Sequence, residues 1–140
     1  MVKIKYFSLG EFLNSATAQR LNISNVPTFD VVDNLNRLAS YLDGIRTKLG
    51  KPILISSGYR APVLNKAVGG VPNSQHITGL AADLVCTDMI ALKKVIIETG
   101  GYDQLIREHR KGSTSYWLHL SIAAKGKKPR QQVINDLTKE

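Results

Sequence analysis

Residues 69–87 read GGVPNSQHITGLAADLVCT, and the change of character inside this stretch decides how the chain is organised. Its first half is crowded with Gly, Pro, Asn and Ser, the composition of a loop. Its second half, LAADLVCT over 80–87, is short and apolar, the pattern of a buried strand. His76 stands in the loop and Asp83 stands inside the strand. A buried carboxylate without a partner is costly, so Asp83 needs one. Gly79 lets the chain turn between the two residues, and Ala81 and Ala82 leave room beside the acid. The stretch reads either as a turn and strand with one awkward acid, or as half of a metal site.

Upstream, KPILISSGYR (51–60) reads as another short buried strand followed by a turn, and APVLNKAVGG (61–70) holds a brief helix. Further back, Val31, Leu35, Leu38, Leu42, Ile45 and Leu49 recur at three- and four-residue steps, which puts them on one face of a helix over 29–49. Thr28 caps its start and Gly50 ends it. FSLGEFLNSATAQRL (7–21) reads as one short helix, with Ser8 and Glu11 forming a capping box, and NISNVP breaks it. Downstream, Thr87 is expected to cap a helix over 88–99 closed by Gly100. YDQLIREH (102–109) and SYWLHLSIA (115–123) are strand-like runs joined by RKGST, a β-hairpin pattern.

Helices first, then strands interleaved with helices, then a hairpin, predict an α+β fold. The expectation is a compact single domain over 1–140, with a small, largely antiparallel sheet, flanking helices and a basic C-terminal tail over about 124–140. The chain has no apolar run near the roughly 20 residues of a membrane span. Its N-terminus lacks the apolar core and cleavage site of a signal peptide. A single cysteine, Cys86, excludes an internal disulfide and a cysteine-rich metal site. Its apolar setting reads as an inert core thiol. The net charge of +8 favours an anionic partner. Nucleic acid is not expected, because only 6% of residues are aromatic and no nucleic-acid motif is present.

His119, in WLHLS, completes a possible constellation with His76 and Asp83. Imidazole and carboxylate are good zinc ligands, and a catalytic zinc takes three protein ligands with one position open. Strand alternation puts Trp117, His119 and Ser121 on one face, with Leu118, Leu120 and Ile122 towards the core. Spacing alone leaves a structural, hydrogen-bonded role open for each histidine.

SGYRAPVLNKAVGGVPNSQHITGLAADLV, followed by YDQLIREH and YWLHLSI, resembles the D-Ala-D-Ala carboxypeptidase family of zinc peptidases. That family takes in D-Ala-D-Ala carboxypeptidases, dipeptidases and L-alanyl-D-glutamate endopeptidases, among them many phage endolysins. Three motifs carry the resemblance in order: Ser-Gly-Tyr-Arg, Ser-x-His-x-x-Gly-x-Ala-x-Asp and Trp-x-His-x-Ser. It covers residues 53–123 and implies a hedgehog/D-Ala-D-Ala peptidase-like fold. It also implies Zn2+ held by His76, Asp83 and His119, Arg60 stabilising negative charge on the attacked carbonyl, and Ser74 binding substrate. A loop-stabilising role for Ser74 stays open.

The general base departs from the pattern. Many relatives carry Glu three residues before the last histidine ligand, where this chain has Tyr116, and tyrosine is a poor base at neutral pH. Others use a histidine two residues before that ligand, where this chain has Trp117. The candidates become Glu108 and Asp103 in the preceding strand. A hairpin turning over 110–114 sets Glu108 across from Tyr116 and Asp103 across from roughly 119–121, and a slip of one residue exchanges the faces. His109, among Arg107, Arg110 and Lys111, reads as a solvated turn histidine.

The resemblance implies zinc-dependent hydrolysis of an amide bond in peptidoglycan stem peptides by a carboxypeptidase or endopeptidase. A monomer made in the cytoplasm and acting on the cell wall is expected, and a phage or prophage lytic protein fits. The alternative is a catalytically impaired, zinc-containing cell-wall binding module.

Overall fold

The apolar stripe over 29–49 becomes the longest helix of the chain. In a computed structural model describing residues 3–139, α3 spans Phe29–Leu49 and buries Val31, Leu35, Leu38, Leu42 and Ile45. Thr28 caps it by accepting the Val31 N–H, and Gly50 ends it at φ 72°, a left-handed conformation that glycine adopts without penalty. Before it lie two short helices rather than one, α1 (Leu9–Leu13) and α2 (Ala16–Leu21). Glu11 does reach back to the Ser8 N–H. Ser15, however, starts a helix of its own by accepting the Ala18 N–H at 3.1 Å, and that second cap splits the predicted helix.

After α3 come β1 (Leu54–Ser57), α4 (Pro62–Ala67), β2 (Ala81–Val85) and α5 (Met89–Thr99). The cap of α5 is Asp88, not Thr87: its carboxylate accepts the Ala91 N–H at 3.0 Å. The predicted hairpin forms from β3 (Gln104–Arg110) and β4 (Tyr116–Ser121). The basic segment read as a tail holds a further strand, β5 (Gln132–Lys139).

The five strands run in the order β1-β2-β4-β3-β5. The first three neighbouring pairs are antiparallel, and β5 joins β3 in parallel. The α+β, largely antiparallel expectation therefore holds. Alternation divides the sheet sharply. Leu84, Leu118, Leu120 and Leu105 point into the core, where they meet Leu35, Leu38 and Leu42 of α3 and Leu92 and Ile96 of α5. The other face carries Asp83 on β2, His119 and Trp117 on β4, and Glu108 on β3. Against it lies the 69–79 loop. Gly79, at φ 76°, packs so closely on α3 that a Cβ there would come within 2.9 Å of the Val31 carbonyl. The glycine predicted to turn the loop thus also docks it on the helix.

Candidate metal centre

Asp83 and His119 are direct cross-strand partners in the β2–β4 register, so their side chains leave the sheet side by side. The Asp83 Oδ1 lies 3.3 Å from His119 Nδ1 and 3.2 Å from His76 Nε2. His76 arrives from the loop. Its Nδ1 lies 2.7 Å from the Gly58 carbonyl, which can only accept, so this nitrogen carries the proton and Nε2 turns inward. Gly58 has no alternative at its position: a Cβ would run into the Phe12 backbone. The His76 and His119 rings meet edge to face at 5.1 Å.

All three side chains are buried, and one ligand atom from each falls within 4.8 Å of the others. Two imidazoles and a carboxylate suit zinc, and each imidazole has an outer partner for its remaining nitrogen, as metal-binding histidines do. The donor set therefore fits the ion. Burial alone would raise the Asp83 carboxyl, but the two histidines, where protons stand in place of the metal on the nitrogens facing it, outweigh burial and hold Asp83 well below the ordinary carboxylate range. The acid that looked awkward in the sequence is anionic and faces the other two candidate ligands.

Arg60 follows β1 and reaches the same face, with Nη2 3.6 Å from Asp83 Oδ2. Burial lowers its pKa, opposed by the Asp83 and Glu108 carboxylates, yet a guanidinium stays charged. Two further side chains hold it, the serine of the Ser-Gly-Tyr-Arg motif and Asn65, which no motif singled out. Its Nε donates to Ser57 Oγ at 3.2 Å, and its Nη1 donates to Asn65 Oδ1 at 3.1 Å. Asn65, 2% exposed on α4, is itself tied to the Val71 carbonyl at 2.8 Å. Gly70 makes the space, because a Cβ there would strike Asn65 Oδ1. The signal was present in RAPVLNKAVGG, as a polar residue inside an apolar helix beside a glycine pair. Ser74 uses its Oγ to accept the His76 N–H at 3.2 Å, which secures the loop beneath the ligand.

The two candidate bases separate. The register sets Glu108 opposite Trp117, one residue from the expected Tyr116. That slip puts Glu108 on the His119 face rather than the core face. Glu108 is 4% exposed; its Oε1 accepts the Trp117 indole N–H at 2.8 Å, and its Oε2 lies 3.7 Å from Lys139 Nζ. Asp103 lies just before β3, its backbone N–H bonded to the Ser121 carbonyl. Its carboxylate accepts Arg130 Nη2 at 2.7 Å, Arg130 Nε at 3.1 Å, the Arg130 backbone N–H at 3.0 Å and Gln75 Nε2 at 3.0 Å. Those bonds, chiefly from Arg130, pull its pKa down to about 2. His109 is not a turn residue: it sits within β3 and contacts Asp136 of β5 at 2.8 Å.

No curated protein matches the sequence. Residues 5–121 match the family model described as Peptidase M15. That span runs from before α1 to the last residue of β4, so it takes in every candidate ligand and leaves only β5 outside. A match over so much of the chain agrees with the three motifs, and this protein belongs to Peptidase M15, the D-Ala-D-Ala carboxypeptidase family of zinc metallopeptidases.

Proposed function

We propose that the protein hydrolyses an amide bond in peptidoglycan stem peptides, with Glu108 as general base and Arg60 as the charge-stabilising group. The observation that carries the choice of base is the contrast between the two carboxylates. Asp103 is saturated by Arg130 and Gln75 and held at a pKa of about 2, which makes it a weak proton acceptor. Glu108 shares the face of His119 and keeps Oε2 beyond hydrogen-bonding distance of Lys139.

Zinc held by His76, Asp83 and His119 would supply Lewis acidity and lower the pKa of a water. Glu108 takes the proton of the attacking water and returns it to the leaving amine. The Trp117 indole fixes the Glu108 carboxylate while it does so. Arg60, locked by Ser57 and Asn65, meets the negative charge that develops on the attacked oxygen. Ser74 acts by holding the His76 loop, and a substrate contact by its hydroxyl belongs to the same proposal. A monomer acting on the cell wall, in the manner of a phage or prophage lytic protein, is the setting that fits this chemistry.

The test is release of new amino termini from isolated peptidoglycan, with and without chelator. Zinc-restorable release is expected. His76→Ala, Asp83→Ala and His119→Ala should lose zinc. Glu108→Gln should keep zinc and lose about 10²- to 10⁴-fold in turnover. Asp103→Asn, assayed at saturating zinc, should stay far more active. A fully active Glu108→Gln would pass the role to Asp103 or to water alone. Zinc binding without any release would favour a cell-wall binding module, the reading for which Tyr116 at the family's base position speaks.

A further inference from the structure

A chain of polar contacts runs from the C-terminal segment to the metal centre, and neither the motifs nor the proposed mechanism uses it. Arg130 lies beyond residue 121, where the family match ends. Its guanidinium grips Asp103 through two bonds, at 2.7 and 3.1 Å. The next link is Gln75, the residue before the ligand His76, whose Nε2 donates to Asp103 Oδ2 at 3.0 Å. A carboxylate held anionic can only accept, so the Gln75 amide is oriented with nitrogen towards Asp103 and oxygen away. That oxygen faces His119 Nε2 at 3.4 Å. An amide oxygen only accepts, so Nε2 is the ring nitrogen that carries hydrogen. Nδ1 is then the nitrogen presented to Asp83 and to the ion.

We propose that Gln75 is a positioning residue for His119, and that Arg130, through Asp103, sets the direction of the Gln75 amide. The inference rests on His119 as a zinc ligand. Outer partners of this kind fix the tautomer and ring orientation of metal-binding histidines. The arrangement explains why Asp103 is buried among donors although it is badly placed to act as a base. It also assigns work to a segment outside the family span: Arg130 lies two residues before the first residue of β5, and the Gln131 and Gln132 backbone N–H groups bond to the Tyr102 and Asp103 carbonyls, so the docked strand delivers the guanidinium.

Zinc affinity, measured by competition with a chromogenic chelator, and the 15N and ring N–H signals of His119 in the zinc-loaded protein test this. Gln75→Leu should weaken zinc binding by about 10- to 100-fold and abolish the protected His119 Nε2–H signal. Arg130→Met, at a side chain 56% exposed, should act in the same direction with a smaller loss. The double variant should bind no more weakly than Gln75→Leu, because both substitutions break one chain. Gln75→Leu with affinity within about twofold of wild type and an intact Nε2–H signal would overturn the proposal. So would an Arg130→Met loss that adds in full to that of Gln75→Leu. Should Gln75→Leu fail to fold by thermal melt, Arg130→Met decides alone, and its unchanged affinity and His119 signals would also overturn it. His119→Ala separates the two readings: retained zinc refutes the ligand assignment, whereas lost zinc with an unaffected Gln75→Leu refutes only the relay.

Discussion

Arg60 shows how much of a functional side chain is made by its neighbours. A surface arginine after a turn would sweep through many rotamers, and ordering it costs entropy. Here Ser57, Asn65 and Asp83 take its three nitrogens. The groups that aim it lie within ten residues of Arg60 except Asp83, itself a candidate ligand. Preorganised charge is what stabilises a developing oxyanion, so loosening the cradle should cost turnover without costing metal. We expect Asn65→Ala to retain zinc and to lower kcat by about 10- to 100-fold, short of outright loss of such a donor. Gly70→Ala should behave alike, since the added methyl displaces Asn65 and crowds Arg60 Nη1, 2.8 Å from the new Cβ. Steady-state kinetics with a parallel zinc assay check both; loss of zinc in either would place Asn65 in the metal site instead. The SGYR motif was readable in the sequence, whereas the Asn65 and Gly70 contributions depend on a contact between α4 and the following loop.

At the scale of the element, boundaries followed local chemistry, and the misreadings have local causes. Thr87 and Asp88, both residue types that cap helices, stand side by side before α5, and the expectation fell on Thr87. Asp88 was the one whose side chain could turn back to the Ala91 N–H. Asp88→Ala should therefore lower the melting temperature by a few degrees, while Thr87→Ala should have a much smaller effect. Thermal melts of the two variants check this, and equal losses would contradict the assigned cap. The β3–β4 hairpin was legible, but its register was not, because RKGST permits more than one loop geometry and β3 carries polar residues on each face. β5 was illegible for a different reason. It is an edge strand with no fully buried residue, and its sequence follows KGKKPR, so it lacks the apolar alternation by which strands are recognised. Its partner β3 lies over twenty residues earlier, and only the completed hairpin exposes the edge that it joins.

Taken whole, the molecule couples its C-terminal segment to its centre by charge. The Asp103 carboxyl has a folded pKa of about 2, below the ordinary aspartate value of 3.8. A depressed carboxyl stabilises the fold above its unfolded pKa and loses that contribution as pH falls through the folded value. In the metal-free protein, the stability advantage of wild type over Asp103→Asn should thus be full above about pH 5 and fall away as the pH drops through about 2. An advantage independent of pH over that window would contradict the Arg130–Asp103 pairing. The net charge of +8 should concentrate the proposed hydrolase on an anionic cell wall. Lysis of walls should then fall with added salt faster than cleavage of a free uncharged peptide, because screening weakens only the former attraction. Equal salt dependence would remove the charge from the account. By itself the sequence determined the family, the α+β class and the candidate ligands His76, Asp83 and His119, because periodicity, caps and motif spacing are local and survive in one dimension. Tertiary structure alone decided which carboxylate shares the sheet face of His119, what holds Arg60, and that a basic segment becomes a strand. Those outcomes depend on a one-residue register and on contacts between distant segments, for which no local pattern exists.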